Sequence, residues 1–107
     1  MARRKINEKR LAQFKEGACY FLIGYYDDGM KLLAIETFIY LGKNLLGEAE
    51  REERWYFQQA ESFVRNGMVL PSKGRKNDDI LTTQSEHLSD FLDPKQLARL
   101  LEELAQE

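Results

Sequence analysis

MKLLAIETFIYLGKNLL, residues 30–46, is the stretch on which the fold turns. Wound as a helix at ~100° per residue, it is apolar around about two-thirds of its circumference. A surface helix needs one apolar stripe, whereas this one needs cover on at least two sides. With Phe38 at the centre, Ala34, Ile35, Ile39, Leu41, Leu45 and Leu46 fan out to both flanks. The polar wedge is narrow: Glu36, Thr37, Lys43 and Asn44, with Leu33 and Tyr40 intruding and the Tyr40 hydroxyl expected in water. The stretch is expected to be the central helix of an all-α domain, closed by Gly47.

Its neighbours follow from the same periodicity. Ile6, Leu11, Phe14, Ala18, Phe21, Leu22 and Tyr25 recur at three- and four-residue spacing and predict a helix over about 5–26. From Ala18 onward the opposite face carries Cys19, Ile23 and Tyr26, so the second half should be covered twice. Gly17 and Gly24 lie on one flank, where each costs ~1 kcal/mol against Ala and so implies a close neighbour. Asp27-Asp28-Gly29 ends this helix, with Gly29 placed for a left-handed cap. Downstream, Glu48, Glu50, Glu52 and Glu53 precede Arg65 and Asn66-Gly67, which suits the dipole of a helix over about 48–66. Its buried stripe would be Ala49, Tyr56, Phe57, Ala60, Phe63 and Val64.

The predicted architecture is a three-helix antiparallel core (about 5–26, 30–46, 48–66) within residues 1–71. Met68–Pro71 should lie back on it, residues 72–79 form a polar loop, and residues 80–107 add a two-helix C-terminal extension (about 83–92, 94–105), one domain overall. In the last helix Asp93 is the N-cap, Pro94 the first helical position and Gln96 the partner in a capping box. Leu97, Leu100, Leu101 and Leu104 make its single stripe. Short helices with one stripe are marginal in water, so this extension must dock on its own core or on another chain.

Tyr25, Gly29, Ala34, Phe38 and Leu41 fall at offsets similar to those inside a tetratricopeptide repeat, over about 30 residues. Leu22 stands at that family's usual glycine, and no second copy follows about 34 residues on. The pair is read as a generic αα-hairpin.

At 107 residues the chain is one domain, and 43% hydrophobic with 32% charged residues argues against disorder. Cys19 is the sole cysteine, which excludes an intrachain disulfide and fits a reducing compartment. Residues 1–5 lead into charged sequence rather than an apolar signal region. Ala18–Tyr26 and Leu32–Ile39 are each too short for the roughly 20 residues of a membrane span. A cytoplasmic protein without a membrane partner is expected.

No catalytic constellation is visible. His87 is the sole histidine, and Glu86 and Asp90 beside it do not make a defined ligand set. Glu36 falls in the polar wedge and is expected at the solvated rim, and Asp27-Asp28 serves a turn better than a cation site. A phosphate loop, a Ser-His-Asp set and a Cys-x-x-Cys pair are all missing. No enzyme activity, cofactor or metal is expected.

Surfaces carry what functional signal remains. On the helical wheel Trp55 lies ~140° from the buried stripe, among Arg51, Gln58, Gln59 and Ser62, as an interface anchor would. Trp55, Tyr20, Ile23, Tyr26, Leu97, Leu100, Leu101 and Leu104 are the expected contacts of a non-catalytic protein-interaction module or small subunit, self-associating through apolar helix faces as a homodimer. The alternative rests on charge. Residues 1–15 hold six basic and one acidic residue, whereas residues 80–107 hold six acidic and two basic. Arg3, Arg4, Lys5, Lys9 and Arg10, with Lys73, Arg75 and Lys76, could contact the phosphates of a nucleic acid. A pI of about 5.5 and the lack of an aromatic before Phe14 weigh against that alternative.

Overall fold

Aromatic and β-branched side chains crowd three short runs, Tyr20–Ile23, Thr37–Tyr40 and Trp55–Phe57, and such residues pack best on a pleated surface. In the computed structural model, which describes residues 14–30, 32–49, 52–72 and 77–106, all three runs are strands. β1 (Cys19–Tyr25), β2 (Leu33–Lys43), β3 (Trp55–Gln59) and β4 (Ile80–Thr83) form one antiparallel sheet in the order β1-β2-β3-β4. α1 (Ala60–Asn66) follows β3 directly, a 3₁₀ helix spans Ser85–Asp90, and α2 (Pro94–Ala105) comes last.

The all-α expectation is therefore overturned, and with it the three-helix core. A strand covered on both faces loses its apolar–polar alternation. On a helical wheel it then looks like a helix covered on two sides. That is what happened over 30–46, where Phe38, Ile39, Tyr40 and Leu41 are buried in succession. Tyr40, expected with its hydroxyl in water, is among them. Burial, helped by the nearby Glu16 and Tyr20, pushes that phenol up to about 12. Of the helix predicted over 48–66 the final seven residues are α-helical, whereas β3 occupies Trp55–Gln59. The helix predicted over 5–26 contains β1, and its residues 5–13 lie outside the described residues. The helix expected over 83–92 is the short 3₁₀ helix, while that over 94–105 is α2, capping box included.

The Asp27-Asp28-Gly29 turn is present, but between strands. Asp27 Oδ1 accepts the Leu32 N–H at 2.7 Å and the Asp27 carbonyl accepts the Met30 N–H at 3.2 Å. The αα-hairpin is thus a β-hairpin. At the other end of β2 the register shifts by a bulge between Tyr40 and Gly42, and Gly42 takes a φ of +144° that L side chains rarely adopt. Asn44 then clamps the connection: its N–H reaches the Arg54 carbonyl at 2.7 Å and its Oδ1 accepts the Arg54 N–H at 2.8 Å.

Directly paired residues share a face of the sheet. Tyr20 pairs with Phe38 and Tyr40 with Phe57, and Trp55, two residues from Phe57, joins them. Leu88 and Phe91 close over this face, with Phe14, Ala18 and Leu22 at the margin. Phe57 is the hub. It is fully buried, stacks on Phe91 with centroids 4.1 Å apart, and meets Tyr40 at 5.2 Å and Phe14 at 6.0 Å.

The opposite face is sealed at β3 by a polar knot. Gln58, fully buried, donates through Nε2 to Ser62 Oγ and to the Gly67 carbonyl, both at 3.0 Å. Its Oε1 accepts the Val69 N–H at 3.1 Å, and Ser62 Oγ donates to Asp79 Oδ2 at 3.1 Å. Met68–Pro71, expected to lie back on the body, is tied there by that Val69 bond, but Met68 and Leu70 stay exposed. One side chain thereby ties β3, α1 and the connection after α1 together, with its polar atoms satisfied.

Candidate interaction surface

Burial ends abruptly at the β1–β2 hairpin and at α2. At the hairpin Tyr26 is 80% exposed, Met30 70% and Leu32 61%, and Tyr25 and Ile35 are open beside them. Ile23 pairs with Ile35 and Tyr25 with Leu33, so these four line one face, opposite the aromatic core.

α2 is fixed to that region by two devices. Leu92 exchanges both backbone hydrogen bonds with Phe21, each 2.8 Å, so residue 92 occupies the free edge of β1. The helix then starts under its capping box. Asp93 Oδ1 accepts the Gln96 N–H at 2.8 Å, Gln96 Oε1 accepts the Asp93 N–H at 2.9 Å, and Pro94 needs no partner there. The leucines recur at three- and four-residue spacing and form one stripe. Even so, none of the twelve residues of α2 is buried. Leu97 and Leu100 are half-covered, and Leu101 and Leu104 are exposed. Between the helix and β1 runs an open groove of about 370 Å³, with Ile23 and Leu92 on one wall and Gln96, Arg99, Leu100 and Glu103 on the other.

The residues singled out from the sequence divide sharply. Trp55 (4% exposed) and Tyr20 belong to the chain's own core, so neither is available to a partner. Period two, not 3.6, governs residue 55 and puts it beside Phe57. Lys43 Nζ stands 4.9 Å over the Trp55 ring and pairs with Glu53 at 2.9 Å. Of the others, Ile23 and Leu100 line one groove, Tyr26 is exposed at the hairpin, and Leu97, Leu101 and Leu104 lie along α2. Tyr25, Met30, Leu32 and Ile35 were missed, because a helical period put Tyr25 and Ile35 on buried stripes and gave Met30 and Leu32 no role; a hairpin reading of the same run would have put Met30 and Leu32 at its turn. Arg3, Arg4, Lys5, Lys9, Arg10, Lys73, Arg75 and Lys76 lie outside the described residues.

Other chemistry-bearing groups are arranged as structure. His87 is exposed, with Glu86 and Asp90 carboxylates each 3.8 Å away. The Tyr56 hydroxyl donates to the Glu48 carboxylate. Burial, followed by that carboxylate, raises Tyr56 to about 12. Desolvation would raise Glu48. The Tyr56 hydroxyl, the backbone N–H groups of Glu48 and Leu46 and the Arg54 charge outweigh it and hold the carboxyl below its usual range. The pair pins the β2–β3 connection onto the sheet. Among the described residues no cluster of three or more His, Cys, Asp or Glu could hold a metal ion, and no helix is long and apolar enough to cross a membrane. No protein family, curated protein or solved structure matches this chain.

Proposed function

We propose that this chain is a non-catalytic protein-interaction module whose contact surface is the leucine stripe of α2 together with the open face and tip of the β1–β2 hairpin. The observation that carries the reading is a twelve-residue helix with four leucines and no buried residue, in a chain whose β1–β2 hairpin also exposes large apolar side chains. An isolated soluble domain rarely leaves contiguous apolar surface of more than a few hundred Å². The lone, exposed Cys19 fits work in the reducing cytoplasm.

A photo-cross-linker placed at Leu104, with a control at the exposed Arg65 on α1, tests this in the producing cells. The expected result is a protein adduct of defined mass from position 104 and none from position 65. Equal yields at the two positions would overturn the proposal.

A further inference from the structure

Resting on that reading, we infer that the partner contributes an extended peptide segment, which joins the sheet as an added strand on the outer edge of β1 at Ile23–Tyr25, in the groove beside α2.

The backbone prepares this edge. The Tyr26 N–H donates to the Leu32 carbonyl at 2.8 Å and the Tyr40 N–H to the Ala18 carbonyl at 3.0 Å, so the even-numbered residues of this strand bond to β2. Antiparallel pairing alternates, and the odd-numbered residues therefore turn their N–H and C=O groups outward. Phe21 shows this directly, because both of its groups bond to Leu92. Extending that pairing would set residue 90 opposite Ile23, but Asp90 ends the 3₁₀ helix and the chain has already left the edge. Among the described residues, the outward N–H and C=O groups of Ile23 and Tyr25 have no backbone partner.

Strand edges are normally blunted by a charge, a proline, a bulge or short length. β1 has none of these: its seven residues carry no charge and no proline, and they keep unbroken register with β2. The opposite edge of the sheet is protected. β4 has four residues, and its Ile80 N–H is already bonded to the Asn77 carbonyl at 3.1 Å.

The groove selects the occupant. Ile23, Leu92 and Leu100 give it an apolar lining, and Asp90, Arg99 and Glu103 give it charge. In strand addition the main-chain bonds supply affinity and alternate side chains supply specificity. Every second residue of the peptide meets the apolar lining, which suits a β-branched or aromatic side chain. Two carboxylates against one guanidinium favour a basic residue in the peptide. A second copy fits poorly: joining two β1 edges in one sheet brings both α2 helices, each about 10 Å across, to the same seam. A lone peptide brings no helix with it.

A random heptapeptide library displayed on phage and selected on the immobilised full chain tests the assignment. Enriched peptides should alternate β-branched or aromatic residues with polar ones and include a basic residue. N-methylation of the alternate peptide amides that face β1 should abolish their binding, whereas methylation of the other set should change it by no more than about threefold; neither needs a variant protein. Ile23→Pro removes an outward N–H without touching the β2 ladder. It should weaken binding about fivefold or more with an unchanged circular dichroism spectrum, and Leu100→Glu should do the same from the other wall. No enrichment, or binding indifferent to which amides are methylated, would overturn the added strand. In that event a position-104 adduct leaves the interaction reading standing; without one, both fall. A wild-type dimer that dissociates on Ile23→Pro would make a second copy the occupant and overturn the lone peptide.

Discussion

Strand β3 and helix α2 are the two extremes of this molecule. β3 has five residues, four of them buried, and each face of it has a dedicated cover: the aromatic cluster around Phe57 on one, the Gln58 knot on the other. α2 is more than twice as long and buries nothing fully. Its position depends on a capping box and one backbone bridge to Phe21. The difference teaches where stability ends and recognition starts. Packing on both faces over-determines β3, whereas α2 is held at its first turn and leaves its stripe for a partner.

That contrast is open to attack from either side. The largest effect should come from Phe57→Ala, which removes the hub of the core and costs about 3–5 kcal/mol, read from denaturant midpoints. Gln58→Ala follows at about 2–3 kcal/mol. It leaves the buried Ser62 hydroxyl, and the less sheltered Gly67 carbonyl and Val69 N–H, short of a partner. Alkaline titration probes the same region. Tyr40 and Tyr56 titrate near 12 in the folded protein against 10 unfolded. Their contribution is therefore complete below pH 10 and is lost as pH rises toward 12, on the order of 2–3 kcal/mol for each tyrosine. On the α2 side, Asp93→Ala should cost only about 1 kcal/mol and should fray that helix without loosening β3, visible as faster amide exchange confined to residues 94–105.

Legibility in the sequence followed the same division. α2 was readable because its start is written locally: Asp93, Pro94 and Gln96 each have one physical job at that spacing, and the leucines repeat on one side. The break at Asp27-Asp28-Gly29 was readable too, although turn residues alone do not say whether helices or strands flank them. β2 and β3 were not readable from period. Phe38–Leu41 and Trp55–Gln58 face cover on both sides, so neither alternates, and a short apolar run fits a buried helix as well as a buried strand. The better discriminator was residue type. Thr37-Phe38-Ile39-Tyr40 and Trp55-Tyr56-Phe57 are β-branched and aromatic throughout, and that preference outweighs the acidic residues whose order suited a helix dipole. Trp55 shows the consequence most plainly. Turned through ~100° per residue it faces solvent; with strand alternation it faces the core. The leucine stripe needed no such correction, because its helix was assigned correctly and only its cover was in question.

Native-state hydrogen exchange tests the central contrast most directly. The account predicts that β3 amides exchange only through global unfolding, while α2 amides exchange far faster through local opening. Protection of α2 equal to that of β3 would contradict it, since the helix would then be held by its own chain as firmly as the sheet.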